Sequence, residues 1–247
     1  KYEVMDRKDN FVKLTREGRV EYVKQATKTS RDRCASILLM RNKALTKRLL
    51  EEHDIPTPRG ELFESREQAL ANFRIHRRSA CVVKPNFPSL GKGITVFTEP
   101  PDETRFEKAV DIAFTYGAEI LVEEYIPGDN YRFLVIGNVV QAVSKRMPAS
   151  VVGDGVRPIR DLVVERTGAS SHSRPLNFIG MGAEEALHLE LHGMSFMTVP
   201  AKGETVTLRQ NSNVSTGGDA IDCTDIVHPT YREVALKAAA AVGAVFC

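Results

Sequence analysis

The alternation of apolar and polar positions predicts strands along much of the chain. Apolar residues alternate with polar ones at residues 2–5, 11–14 and 20–23, which is typical of half-buried strands. The beginning is abrupt, as if an earlier strand or domain preceded it. Polar and basic residues at 25–36 predict a loop. Apolar runs predict further strands at 62–63, 81–83, 94–97, 119–126, 131–136, 139–143 and 204–208, and the first residues of another at 244–247.

Apolar periodicity and end signals predict six helices between these strands. Two of them begin with a capping box, Ser65 with Gln68 and Thr104 with Glu107. A Ser-rich segment at 167–180 and a polar, glycine-bearing segment at 211–219 predict loops. Hairpins are common and clean βαβ units are few, which favours an α+β fold with lobes packed around a cleft. The helices are expected at residues 42–53, 65–76, 104–116, 158–166, 183–192 and 229–242.

Composition narrows the class of protein. With 247 residues, the chain can bury a sizeable core in one large domain or two lobes. Its 34 basic and 32 acidic residues nearly balance, so the net charge does not favour binding to nucleic acid or to an anionic membrane. No apolar run is long enough to span a bilayer, and the first ten residues do not form a signal peptide. Four scattered cysteines without a CxxC pair predict reduced thiols and a cytoplasmic location.

The stretch from Cys81 to Thr95 carries the first candidate chemistry. An apolar run leads into Lys84, and a short loop with Gly91 and Gly93 separates it from the next strand. Glycines let backbone N–H groups approach an anion closely, and the Lys84 ammonium could reach the same anion. The spacing is not that of a P-loop, which opens a helix. An ordinary hairpin with an exposed lysine is an equally open interpretation.

Several motifs together resemble the ATP-grasp ligases. They are Asn42-Lys43 with Thr46-Lys47 before a helix, residues 82–85 with the glycine loop, and residues 121–128, in the order and at the spacing of that family. Residues 148–155 and 208–219 are similar to the C-terminal half of the bacterial bifunctional glutamate–cysteine ligase/glutathione synthetases. Cyanophycin synthetases are similar over the same blocks. The resemblance runs along essentially the whole chain.

This resemblance implies an ATP-grasp fold of two α+β lobes with a nucleotide cleft between them. The implied divisions are 1–60, linker strands and entry helix; 61–126, the small lobe; and 127–247, a central and C-terminal lobe without its last strands. The implied activity joins γ-glutamylcysteine and glycine through an acyl phosphate at the expense of ATP. Another carboxylate–amine ligase, or a module that binds nucleotide without catalysis, remains open. Partners are small molecules, and a homo-oligomer would form through regions outside the chain.

The resemblance also assigns roles to residues. Lys43, Lys84, Gly91 and Gly93 would hold the phosphates, and Glu123 with the backbone of Glu124, Tyr125 and Ile126 would hold adenine. Asn130 stands where relatives commonly have a ribose-binding Glu, and Asp129 is the alternative. Arg209 and Asn211 would contact the acyl phosphate and the acceptor. Lys145, Arg146, Asn213 and Ser215 would face the substrate, the first two alternatively the phosphates. Mg²⁺ is implied as well, with ligands expected on strands beyond Cys247, so no metal ligand is assigned within the chain.

Simpler interpretations remain for several of these residues. Lys43 and Lys47 could be solvated helix charges, and residues 211–218 an ordinary surface loop. Glu123 and Glu124 could form an exposed strand edge; because strand side chains alternate, only one can face the cleft, and Glu123 is preferred. Two further pairs have no assigned role. His188 and His192 have helical i, i+4 spacing, for which a solvated helix face is favoured over a zinc site, and Cys223 and Cys247 are expected to be buried small side chains.

Overall fold

The computed structural model describes residues 1–25, 28–76, 78–87, 90–170, 179–245 and 247. The chain divides into two compact units. The first unit comprises Lys1–Thr57, Tyr131–Ser144 and Asp222–Cys247, and the second comprises Pro58–Asn130 and Lys145–Ile221. The predicted lobe boundaries at residues 60 and 126 stay a prediction. Within the described ranges, none of the helices is long and apolar enough to cross a bilayer.

An antiparallel three-stranded sheet begins the first unit. Its strands are β1 (Tyr2–Asp6), β2 (Phe11–Arg16) and β3 (Arg19–Lys24), in that order across the sheet. Glu17 and Gly18 form the tight turn between β2 and β3, both with positive φ. The three N-terminal strands predicted from alternation are confirmed.

Three helices belong to the first unit: α1 (Cys34–Arg41), α2 (Lys43–Glu51) and α8 (Pro229–Ala241). Asn42 separates α1 from α2 because its backbone is extended, and its side chain accepts the N–H of Leu45 at 3.0 Å. The prediction of a loop through residue 36 was wrong. Arg33 precedes α1 without a side-chain capping bond, so no local signal marks where this helix begins.

A second sheet contains β8 (Asn130–Ile136), β9 (Val139–Met147) and β12 (Asp219–Asp222), in the order β12-β9-β8. Gly137, at φ 61°, makes the predicted turn between β8 and β9. Cys247 and Val135 exchange two backbone hydrogen bonds of 2.7 and 3.0 Å, so Cys247 pairs with β8, although residues 244, 245 and 247 do not form the predicted strand. Three buried residues of this sheet, Val135, Val140 and Val143, pack against Ala239 of α8.

The second unit is built on a four-stranded antiparallel sheet. The strands are β4 (Gly60–Phe63), β5 (Cys81–Pro85), β6 (Thr95–Phe97) and β7 (Ile120–Glu124), in the order β4-β7-β5-β6. Val83 lies opposite Val122 and both are fully buried. One face of the sheet is covered by α3 (Arg66–Ala71), α4 (Phe73–His76) and α5 (Glu103–Phe114).

Helix starts in this unit agree with one capping prediction and contradict the other. The Ser65 hydroxyl accepts the N–H of Gln68 at 3.3 Å and caps α3, as predicted. The box at Thr104 was wrong, because the Asp102 carboxylate accepts the N–H of Arg105 at 2.8 Å and starts α5 earlier.

The rest of the second unit has its own core. Strands β10 (Ser150–Val152) and β11 (Thr205–Thr207) pair antiparallel beside α6 (Ile159–Ser170) and α7 (Ala183–Leu191). A short 3₁₀ turn, Val214–Thr216, lies in the predicted 211–219 loop. Of the predicted loop at 167–180, residues 167–170 belong to α6, and 171–178 lie outside the described residues. The core includes Val151, Ile159, Leu189, Val206 and Leu208.

Candidate functional site

The glycine-rich loop joins β5 to β6 in the second unit. Gly91 and Gly93 have φ of 86° and 72°, a backbone region that favours glycine. A Cβ on Gly91 would lie 2.2 Å from Nδ2 of Asn213, and one on Gly93 would lie 2.7 Å from Cδ2 of Tyr116. Both positions therefore need glycine for conformation and for space.

The segment after β11 binds the carbonyl groups of this loop. Arg209 Nη1 and Asn211 Nδ2 each donate to the Gly91 carbonyl oxygen at 3.1 Å. The Ser215 hydroxyl donates to the carbonyl of Leu90 at 2.8 Å. Asn213 also lies at the loop, because its amide is the group that a Cβ on Gly91 would meet. Four of the six residues predicted to contact substrate or the acyl phosphate are thus gathered at the glycine loop, and the other two, Lys145 and Arg146, lie on β9.

Two acidic residues at the beginning of α7 complete this arrangement. Glu184 Oε1 accepts the N–H of Gly93 at 2.9 Å, and Glu185 Oε1 accepts Nε of Arg209 at 2.6 Å. Arg209 Nη2 also lies 3.8 Å from Oε2 of Glu184. Sequence reasoning missed both acids, because acidic residues in the first turn of a helix are common for dipole reasons alone.

Electrostatics keeps Glu184 ionised although it is buried. Burial alone would raise its pKa, but the N–H groups of Gly93 and of Glu184 itself, with Arg209 and Tyr116, hold the pKa below its usual value. The pKa of the Tyr116 hydroxyl, which pairs with Glu184, shifts in the opposite direction. Burial and the charge of Glu184 raise the pKa of Tyr116, so this hydroxyl stays a donor.

His188 corrects a prediction. It is buried rather than solvated: its Nε2 lies 3.2 Å from the Thr207 hydroxyl, and its ring is 4.5 Å from that of His192. Burial, followed by the charges of His192 and Arg209, lowers the pKa of His188 to about 4, so the imidazole is neutral near pH 7. His192 is exposed, as predicted.

Lys84 and Glu123 form an ion pair across β5 and β7. Glu123 is almost fully buried, whereas Glu124 is exposed and accepts the N–H of Arg59 at 2.7 Å. Alternation along β7 thus separates the two acids, and Glu123 is the one that meets the lysine. Room for it comes from Gly60, where a Cβ would lie 2.7 Å from both Cα and Cγ of Glu123.

The remaining candidates are more dispersed. The N–H of Tyr125 donates to the carbonyl of Ala80 at 3.1 Å, and Ile126 is 57% exposed. Lys145 donates to Asp129 at 2.6 Å, beside the exposed Asn130 at the start of β8. Arg146 is half-buried on β9, in the second unit. Lys43 is the first residue of α2 and belongs to the first unit.

Two family models match the sequence. The ATP-grasp-like domain covers residues 1–34, and the ATP-grasp (A) domain of phosphoribosylglycinamide synthetase covers residues 41–150. A solved structure of a bifunctional glutathione synthetase from Pasteurella multocida has a TM-score of 0.54 and 38% identity, covering 100% of this chain and 34% of that one. The chain belongs to the ATP-grasp family. The predicted ATP-grasp fold is therefore confirmed.

Curated relatives of this ATP-grasp domain match along its whole length. The glutathione biosynthesis bifunctional protein GshAB of Clostridium perfringens (strain 13 / Type A) is 43% identical over 250 residues, covering 100% of this chain and 32% of the relative. GshAB of Listeria monocytogenes serotype 4b (strain F2365) is 42% identical over 251 residues, covering 100% and 33%. The domain spans about a third of the length of these relatives. The resemblance to bifunctional glutathione-making proteins is confirmed.

A metal site is not formed by the described residues of the ATP-grasp domain. Among them, no three His, Cys, Asp or Glu side chains lie close enough together to hold an ion. The helical histidine pair therefore gains no third ligand within those ranges, and no residue is assigned to Mg²⁺.

Proposed function

We propose that this ATP-grasp domain joins γ-glutamylcysteine to glycine with ATP, as part of a longer glutathione-making protein. The single observation that carries the proposal is the 43% identity, along the entire chain, to a protein named for glutathione biosynthesis. The geometry supports the ATP-dependent part, because cationic and amide side chains from one segment gather at a glycine-rich loop.

The proposed chemistry has two steps. A carboxylate oxygen of γ-glutamylcysteine takes the γ-phosphoryl group of ATP, which gives an acyl phosphate and ADP. The amine of glycine then attacks the acyl carbon, phosphate leaves, and the nitrogen loses a proton to form glutathione. Negative charge is redistributed over phosphoryl oxygens in both steps, so fixed cations and hydrogen-bond donors supply the stabilisation.

The residues of the second unit fit an anionic ligand. Lys84 is partly exposed at the end of β5, next to the glycine loop, and Arg209 reaches that loop with its guanidinium. We assign Lys84, Gly91 and Gly93 to the phosphates, and the family resemblance assigns Lys43 to them as well. Arg209 and Asn211 are assigned to the acyl phosphate and the acceptor.

The other assignments follow the family resemblance. Adenine is assigned to Glu123 and the backbone of residues 124–126, and the ribose to Asn130 or Asp129. The substrate carboxylate, or alternatively the phosphates, is assigned to Lys145 and Arg146, with Asn213 and Ser215 also facing the substrate. Mg²⁺ would supply positive charge that neutralises the phosphates of ATP. A cytoplasmic location is proposed because all four thiols are free.

Release of ADP tests the proposal. The protein is mixed with ATP, Mg²⁺, γ-glutamylcysteine and glycine, and ADP and glutathione are followed together; a parallel reaction contains aspartate and arginine. Both products in the first reaction alone are expected. ADP in the second reaction alone would overturn the glutathione assignment in favour of a cyanophycin synthetase-like ligase. Calorimetric binding of ATP without ADP in either reaction would leave a nucleotide-binding module.

A further inference from the structure

The turn from Gly91 to Gly93 is closed into a ring by side chains from two other segments. On one side, Nη1 of Arg209 holds the carbonyl of Gly91 at 3.1 Å; on the other, Oε1 of Glu184 holds the N–H of Gly93 at 2.9 Å. Nη2 of Arg209 and Oε2 of Glu184 lie 3.8 Å apart and close the ring. Glu185 fixes Arg209 through Nε at 2.6 Å.

The contacts of these acids reach beyond their own helix. Glu185 Oε2 accepts the N–H of Gly182, which is the ordinary use of an acid at a helix start. Its other oxygen holds Arg209, and Glu184 reaches across to the glycine loop. Both carboxylates are buried, and a buried charge persists only where such partners compensate its lost hydration. The burial of these two carboxylates is therefore explained by their contacts with the glycine loop and with Arg209, and not by the helix start alone.

We infer that Glu184 and Glu185 are positioning residues that clamp the glycine-rich loop in the form that receives the phosphates of ATP. Glu184 acts directly on the Gly93 N–H, and Glu185 acts through Arg209. The part of this inference that concerns ATP rests on the proposed function. The clamp itself does not, because all its contacts are made within the protein.

Lys92 provides a direct measure of the clamp. It is exposed between two buried glycines, so the turn presents a trypsin site whose backbone is held on both sides. Cleavage needs the backbone to leave the ring and enter the protease, so the rate at Lys92 reports local opening. Lys108 on α5 is a second trypsin site in the same unit and reports wider unfolding.

Three variants of the 247-residue chain separate the clamp from general damage. Glu184→Ala is expected to speed cleavage after Lys92 at least tenfold relative to cleavage after Lys108. Glu184→Gln keeps an acceptor for the Gly93 N–H and should restore most of the protection. Glu190→Ala is the matched control, because Glu190 lies on the same helix but is exposed and pairs with Lys108 at 2.9 Å. It should leave the Lys92 rate within twofold of the unchanged chain.

Two results would overturn the clamp. One is a Lys92 rate in Glu184→Ala no faster than in Glu190→Ala. The other is equal acceleration at Lys92 and Lys108, since the substitution would then loosen the unit as a whole. If Glu184→Ala does not fold, Glu184→Leu, which keeps side-chain volume but has no acceptor for the Gly93 N–H, is compared with Glu190→Leu, and a Lys92 rate less than twofold faster in Glu184→Leu than in Glu190→Leu would count against the clamp.

Calorimetry with ATP tests the link to nucleotide. Glu184→Ala should weaken ATP binding at least fivefold, whereas Glu190→Ala should not change it. Unchanged or tighter binding in Glu184→Ala would overturn the positioning role, since tighter binding means that Glu184 competes with the phosphates. Absence of ATP binding by the unaltered chain would count against the proposed function, and the trypsin comparison would still decide on the clamp.

Discussion

Arg209 donates a 2.6 Å hydrogen bond from Nε to Oε1 of Glu185, and the two side chains are only 7% and 0% exposed. Such a pair adds little net stability compared with an apolar replacement, because both ions lose their hydration. Removing one partner is different, because the other charge stays buried without compensation. The pair also fixes the guanidinium that holds the glycine loop.

Glu185→Ala is expected to lower the free energy of unfolding by about 3–5 kcal/mol, because Arg209 loses its principal buried partner. Urea denaturation followed by circular dichroism measures this change. The control is Glu190→Ala, whose ion pair with Lys108 is about half exposed and should cost at most about 1 kcal/mol. Equal losses in the two variants would contradict the importance of burial.

Lys84→Met should reduce kcat/KM for ATP at least tenfold, about 1.4 kcal/mol, if Lys84 contacts the phosphates. It should also cost about 1–3 kcal/mol of stability, because the buried Glu123 loses its ion pair with Lys84. The double variant Lys84→Met/Glu123→Gln separates the two effects. Denaturation should show stability recovered, whereas steady-state kinetics should show no recovery of activity. Unchanged kinetics in Lys84→Met would refute the assignment.

Gly60→Ala should destabilise the chain by about 2–3 kcal/mol, because its Cβ would lie 2.4 Å from the Val122 carbonyl oxygen and 2.7 Å from Cα of Glu123. Gly168→Ala is the control, and its expected change in stability has the opposite sign. It lies on α6 with nothing within 4 Å of the new Cβ, and alanine should add about 0.5–1 kcal/mol there. Thermal melting of both variants gives the comparison, and a stabilised Gly60→Ala would contradict the observed β4–β7 pairing.

Stability should fall on acidification because of His188. Its pKa is about 4 in the folded chain and 6.5 for an unperturbed histidine, so the unfolded chain binds the proton more readily between these values. Stability is therefore full above pH 6.5 and decreases as the pH falls towards 4. From pH 7 to 4.5 the loss from this group is about 2–3 kcal/mol.

Urea denaturation of His188→Gln at pH 7 and 4.5 should show a smaller acid-dependent loss than the unaltered chain. His53→Gln is a suitable control, since His53 is exposed on the first unit. Identical pH dependence in the unaltered chain and His188→Gln would contradict the buried, neutral state.

Much of the fold follows from local patterns. Alternation predicted the N-terminal strands, an apolar run predicted β5, and Ser65 predicted the start of α3, because these signals act within a few residues. The whole of α1 was missed for the same reason, since its N-terminus has no side-chain cap. At α5 the predicted cap was Thr104, whereas the structure uses the carboxylate of Asp102.

The sequence by itself identified the two glycines of the loop, the lysine before it and the polar segment after β11 as candidate site residues. Residue type alone is enough for this, because it limits φ, charge and hydrogen bonding. Only the tertiary structure decided that this segment binds the carbonyl groups of the loop. The same holds for the contacts of Glu184 with Gly93 and of Glu185 with Arg209. Gly93 and Glu184 are 91 residues apart in the chain. Nothing local distinguishes a buried acid from a solvated one; the difference arises when packing removes water and leaves Arg209 and a backbone N–H as its partners.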